Sequence, residues 1–133
     1  MTQEGFLNYY FVIFRNLCII ISYLMKRGSN MKIEQVTYKG WQHCIKILHE
    51  DIELIVTTDV GPRVIHCGFT GGENLFYEDP LQSGTTGGDE WKIYGGHRCW
   101  CAPEDETYTY AVDNLPVEVR ESGSAISFIA PPE

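Results

Sequence analysis

The densest run of chemically capable residues is Tyr94-Gly95-Gly96-His97-Arg98-Cys99-Trp100-Cys101-Ala102-Pro103-Glu104-Asp105. Paired glycines let a backbone approach a ligand or a neighbouring strand closely. Strand alternation would send His97, Cys99 and Cys101 to one face and Arg98 and Trp100 to the other. Trp100 offers a flat ring to the C–H face of a polyhydroxylated ligand. Arg98, with Glu104 and Asp105 just beyond a proline-fixed bend, offers charged groups for its hydroxyls. The same residue types also suit a buried ion pair between Arg98 and one carboxylate, with Trp100 in the core.

Other constellations are weaker. His97, Cys99 and Cys101, with His66 or Cys67, are zinc-type ligands, but a lone Cys-x-Cys beside a His lacks the repeated Cys pairs of a structural zinc site. A cupin-type metal site is weakened because Cys99 stands where its second His would be. No metal and no cofactor is expected. Gly61-Pro62-Arg63 places Arg63 at a sheet end, either directed toward a cleft or capping a turn. Asp113-Asn114, ahead of Leu115-Pro116, reads most simply as a turn. His43, His49 and His66 are isolated and read as structural. No Ser or Cys sits on a nucleophile elbow, no phosphate-binding loop is present, and the Glu104-Asp105 pair lacks the partner that would define hydrolysis.

The elements that must position these residues read as short strands. Residues 32–39, 42–48, 52–57, 63–69 and 74–77 are rich in β-branched or aromatic residues and bounded by turn formers, which predicts a meander. Within 52–57, Ile52, Leu54 and Val56 alternate with Glu53, Ile55 and Thr57. One apolar and one mixed face predict a sheet packed on a second layer. Residues 79–90 are polar, Gly-rich and aperiodic, the main loop of the domain, and such loops border sites. Two further strands are expected at 115–120 and 125–130, joined by Ser122-Gly123-Ser124. The fold class expected is an all-β antiparallel β-sandwich.

Composition agrees. With 133 residues and 15.2 kDa the chain has room for one core, and 44% hydrophobic against 21% charged residues describes a globular protein. Thirteen Gly, six Pro and three Trp, eight Tyr and six Phe favour strands and tight turns. A net charge of −8 argues against binding that neutralises phosphates, so nucleic acid is not an expected partner. Residues 1–30 stand apart. They hold three basic groups against Glu4, leaving the body with seven basic and seventeen acidic groups. Residues 6–25 are long enough to span a bilayer, but Arg15 and Asn16 sit at the centre. Three readings stay open: a membrane anchor with the body on the cytoplasmic side, an amphipathic or buried extra element, or an extension upstream of a start at Met31. The break at Gly28-Ser29-Asn30 favours the last. Five cysteines at no framework-like spacing fit a reducing compartment, and a cytoplasmic location is expected.

Taken in order, Gly61-Pro62-Arg63-Val64-Ile65, Glu73-Asn74-Leu75-Phe76, Trp91-Lys92-Ile93-Tyr94-Gly95-Gly96-His97-Arg98 and Cys101-Ala102-Pro103-Glu104 resemble the N-terminal half of galactose mutarotase-like proteins, the aldose 1-epimerase superfamily. The resemblance spans about residues 31–133. It implies a large antiparallel supersandwich with a sugar bound in an open groove, and metal-independent interconversion of anomers by a Glu base and a His acid. Those two residues lie in the second half of the family's domain, so no catalytic residue is carried over, and activity is expected only in a longer form. By position, Arg63, His97, Arg98, Trp100, Glu104 and Asp105 are candidate sugar-binding residues. A half-sandwich also implies exposed sheet edges, which makes a second copy of the chain an expected partner. The other reading is a carbohydrate-binding or structural β module that never catalysed.

Overall fold

From Met31 onward the first β-branched stretches are joined by short turns, two residues at 39–40 and 50–51 and five at 58–62, so successive strands fold back on one another rather than crossing over. A computed structural model describes residues 10–12, 18–22, 31–100, 102–122 and 125–131. Its elements are β1 (Tyr10–Val12), β2 (Cys18–Ser22), β3 (Met31–Tyr38), β4 (Trp41–His49), β5 (Ile52–Thr57), β6 (Arg63–Phe69), α1 (Glu106–Thr109), β7 (Glu118–Ser122) and β8 (Ala125–Ile129). Two antiparallel sheets result, in the orders β3-β4-β5-β6 and β1-β2-β8-β7. The chain is an all-β antiparallel sandwich.

The period-two pattern of β5 explains how the main sheet is covered. Leu54 and Val56 face a cluster with Ile47, Ile126 and Phe128 that joins the two sheets. Ile55 instead joins Trp41, Cys44, Val60, Ile65 and Tyr94, a second core roofed by the long irregular segment after β6. Burial in that core pushes the Cys44 thiol up to about 12. The mixed face of β5 is therefore buried as well. Its Glu53 is tolerated there because the Lys46 Nζ lies 2.9 Å from the carboxylate.

Three expectations change. Residues 74–77 do not form a strand. Instead the Asn74 side chain plugs the edge of β6: its Oδ1 accepts from the backbone N–H of Cys67 at 3.0 Å, and its Nδ2 donates to the Ile65 carbonyl at 2.8 Å. A side-chain amide thus satisfies backbone groups that a paired strand would otherwise need. The penultimate strand starts at Glu118 rather than 115, because Pro116 has no N–H to give a ladder. The loop expected at 79–90 is part of a longer stretch, from Thr70 to Val117, whose one regular element among the described residues is α1. Of residues 6–25, Tyr10–Val12 and Cys18–Ser22 are strands, β2 pairing with β8; the rest of that expected span lies outside the described residues. Among the described residues no helix is long and apolar enough to cross a membrane.

At the start of β4, Asp59 accepts from the backbone N–H of Gln42 at 2.7 Å and of His43 at 3.0 Å, and meets His43 Nδ1 at 2.6 Å. Burial works to raise this carboxyl, but the hydrogen bonds from His43 and Gln42 outweigh it and hold the group below its usual range. Glu78 is likewise held low against partial burial, by Lys39 Nζ at 2.8 Å among other donors. Because both folded-state values lie below the unfolded ones, the stability they add is present above about pH 4 and disappears as pH falls through the folded values. The urea midpoint is expected to drop between pH 5 and pH 3, and Asp59→Asn to lower the neutral plateau and flatten that acid limb. An acid limb unchanged in the variant would remove Asp59 from the account.

Candidate functional site

The site begins where β6 begins. Gly61 donates its N–H to the Asp113 carbonyl at 2.8 Å, and the Arg63 N–H donates to Thr57 Oγ1 at 3.2 Å, which anchors both ends of the turn leading into the strand. The Arg63 side chain then runs under the 92–95 segment. Its Nη1 donates to the Ile93 carbonyl at 2.9 Å and its Nη2 to the Lys92 carbonyl at 3.1 Å, while its Cζ lies 5.0 Å from the centre of the Tyr94 ring.

Gly95 and Gly96 thread this segment between two backbones. Gly96 donates to the Tyr77 carbonyl at 2.8 Å, and Val64 and His97 exchange hydrogen bonds at 2.8 and 2.9 Å. A Cβ on Gly95 would lie 2.2 Å from the Tyr77 oxygen, and one on Gly96 2.5 Å from the Val64 oxygen, so glycine is required at both places. Tyr94 is fully buried, its ring edge-on to Trp41 and its hydroxyl donating to Asn114 Oδ1 at 2.8 Å. Asn114 Nδ2 in turn donates to the carbonyls of Gly88 at 2.9 Å and Glu90 at 2.8 Å, fastening the long loop over the core.

Arg98 lies between two indoles. Its Cζ is 5.0 Å from the Trp100 ring centre and 5.8 Å from that of Trp91, and Tyr110 meets both rings edge-on at 5.7 and 5.5 Å. Its Nη1 reaches Asp113 Oδ2 at 3.3 Å and its Nη2 donates to the Thr109 carbonyl. The same Asp113 carboxylate is 2.9 Å from Arg63 Nη2. All three charged groups are buried, with side chains at most 7% exposed. Burial pulls the Arg63 guanidinium below the usual arginine range and Arg98 adds to that pull, against the stabilising Asp113 charge. Two guanidiniums against one carboxylate leave one positive charge in excess.

These residues enclose a half-open cavity of about 330 Å³, lined by Arg63, Trp91, Ile93, Gly95, Gly96, His97, Arg98 and Trp100. Three buried N–H donors of the lining have no partner: Arg63 Nε, Arg98 Nε and Trp91 Nε1. Buried donors without acceptors are uncommon in folded proteins and each costs on the order of 1–3 kcal/mol, and three of them fall on residues that line this one cavity.

Four of the six residues singled out by sequence, Arg63, His97, Arg98 and Trp100, line this one cavity. They do so without the expected alternation, since His97 alone of residues 97–100 makes a bridge and residues 98–100 belong to no regular element. Trp100 is half exposed rather than in the core. Glu104 and Asp105 are not in the lining. Asp105 caps α1, accepting from the N–H groups of Thr107 at 2.9 Å and Tyr108 at 3.1 Å, and Glu104 accepts from the Tyr110 hydroxyl. Their contribution is indirect: α1 presents the Thr109 carbonyl to Arg98. The carboxylate paired with Arg98 is Asp113, which with Asn114 and Trp91 was not singled out. An Asp-Asn pair before Leu-Pro carries a turn signal and nothing else. Cys101 lies outside the described residues, and among those described no three His, Cys, Asp or Glu side chains converge to hold a metal.

Comparison of the chain with family models, with curated proteins and with solved structures gave no match.

Proposed function

We propose that the cavity binds a carbohydrate-like ligand of about monosaccharide size that carries an anionic group. The observation that carries this reading is the set of three partnerless buried donors, Arg63 Nε, Arg98 Nε and Trp91 Nε1, on residues that line a cavity with one positive charge in excess. An anionic oxygen would satisfy such donors and offset that charge. The indole faces of Trp91 and Trp100 suit the C–H face of a sugar ring, and a volume of about 330 Å³ lies at the small-ligand end of binding pockets. The body as a whole is strongly acidic, so selection of an anion rests on this local charge and not on long-range attraction.

The mutarotase-like resemblance is the source of the sugar class. Anomer interconversion on that scheme needs a carboxylate base, and the lining supplies His97 but no carboxylate. This supports binding by the described residues, with epimerase-like turnover reserved for a longer form. The test is titration of tryptophan fluorescence with hexuronates and hexose phosphates against their neutral parent sugars, alongside polarimetry on fresh α-anomers. Acidic sugars are expected to saturate and neutral ones to bind at least tenfold more weakly. Trp100→Ala is expected to weaken the acidic ligand about threefold to tenfold, from a lost stacking contact, while leaving the urea midpoint nearly unchanged. Equal binding of neutral and acidic sugars would overturn the reading.

A further inference from the structure

We propose that Asp113 is the positioning residue that sets the charge of the cavity, by pairing with both of its arginines through their Nη nitrogens. This rests on the anionic-ligand reading above. Asp113 contacts Arg63 through Nη2 at 2.9 Å and Arg98 through Nη1 at 3.3 Å, on Nη nitrogens in both cases. The remaining Nη contacts go to backbone carbonyls at Lys92, Ile93 and Gly95 from Arg63, and at Thr109 and Ala111 from Arg98. Each guanidinium is thereby held through its Nη nitrogens, with no partner at Nε. Asp113 also accepts from Gly61 N–H through its own carbonyl, so one residue holds the backbone entering β6 and the two side chains that flank the ligand. Its carboxylate cancels one of two positive charges. A ligand site with both arginines free would carry two charges and demand a more strongly charged partner; with Asp113 in place the demand is for one net negative charge.

The consequence is a charge rescue that a structural role would not give. Sulfate, whose charge is constant near neutral pH, is titrated at fixed ionic strength into the wild-type chain, Arg98→Met, Arg98→Met/Asp113→Asn and Asp113→Asn, with tryptophan fluorescence as readout. Near-ultraviolet circular dichroism confirms that each is folded. One unit charge at a few ångströms in a partly screened site changes affinity by about tenfold or more. Arg98→Met, with no excess charge, is expected to bind sulfate at least tenfold more weakly than wild type. The double variant is expected to recover most of that loss although the arginine is still missing, because Arg63 is then unopposed. Asp113→Asn alone is expected to bind about tenfold more tightly. A folded double variant as weak as Arg98→Met, or a folded Asp113→Asn that binds more weakly than wild type, would make Asp113 merely structural. If one of the two fails to fold, the other decides. Wild-type protein that binds neutral sugars but no sulfate would instead overturn the anionic-ligand reading itself.

Discussion

Asp113→Ala is expected to lower folding stability by about 3–5 kcal/mol, the cost of leaving buried charges without their partner. Two guanidiniums with side chains at most 7% exposed would face each other across the space the carboxylate had filled. Their backbone acceptors at Lys92, Ile93 and Thr109 would remain, but neutral carbonyls do not cancel charge. The damage should spread along the chain, because Arg63 ties the start of β6 to the 92–95 segment and Arg98 ties the Trp91 and Trp100 walls to the end of α1. Equilibrium urea unfolding measures it. A loss below about 1 kcal/mol would mean that water or a rearranged side chain already solvates the pair, and that the cavity wall is not the fixed arrangement described.

Gly95→Ala is expected to cost roughly 2–5 kcal/mol, combining about 1–2 for a side chain in left-handed backbone with about 1–3 for overpacking. The residue sits at φ +103°, and a Cβ there would meet the Tyr77 oxygen at 2.2 Å and the Glu78 Cα at 2.7 Å. Those contacts are backbone, which has no rotamer by which to move aside. The Glu78–Gly95 bridge must open or the segment must lift away from Arg63, whose guanidinium is held by carbonyls on either side of Tyr94. Ligand affinity should therefore fall together with stability, unlike Trp100→Ala, where affinity alone is expected to move. A Gly95→Ala protein within about 0.5 kcal/mol of wild type would show that the segment has room the packing does not suggest.

Local pattern carried the strands well where pairing is continuous. The apolar alternation of residues 52–57 and the β-branched run 63–69 correspond to β5 and β6 residue for residue, because buried positions on both faces constrain the pairing, which shifts register once, between Ile55 and Val56. The pattern misled at Asn74-Leu75-Phe76-Tyr77, where strand-like composition is overridden by one amide side chain that does the pairing. In the site, the glycine pair announced a close backbone approach, which is present, whereas the stacking of the Arg98 guanidinium on Trp100 is a contact the sequence reading did not anticipate. What sequence could not supply was the identity of the carboxylate. Glu104 and Asp105 are near Arg98 in the chain, yet a helix cap and a tyrosine hydroxyl engage them. Asp113 reaches Arg63 from fifty residues away, a pairing set by the tertiary fold and invisible to spacing.

The central claim is that the partnerless donors of this cavity wait for an anionic oxygen of a sugar-like ligand. Nuclear magnetic resonance of the ¹⁵N-labelled protein reads those atoms one by one, through the arginine Nε–H and tryptophan indole N–H signals. On adding the hexuronate or hexose phosphate that binds best, the Arg63 and Arg98 Nε–H and Trp91 Nε1–H signals are expected to move downfield as they gain an acceptor, while the indole of Trp41, bonded to the Thr85 carbonyl at 2.9 Å, stays in place. Saturable binding that leaves all three donor signals unmoved would contradict the account, since the ligand would then sit elsewhere and the donors of the cavity would still lack a purpose.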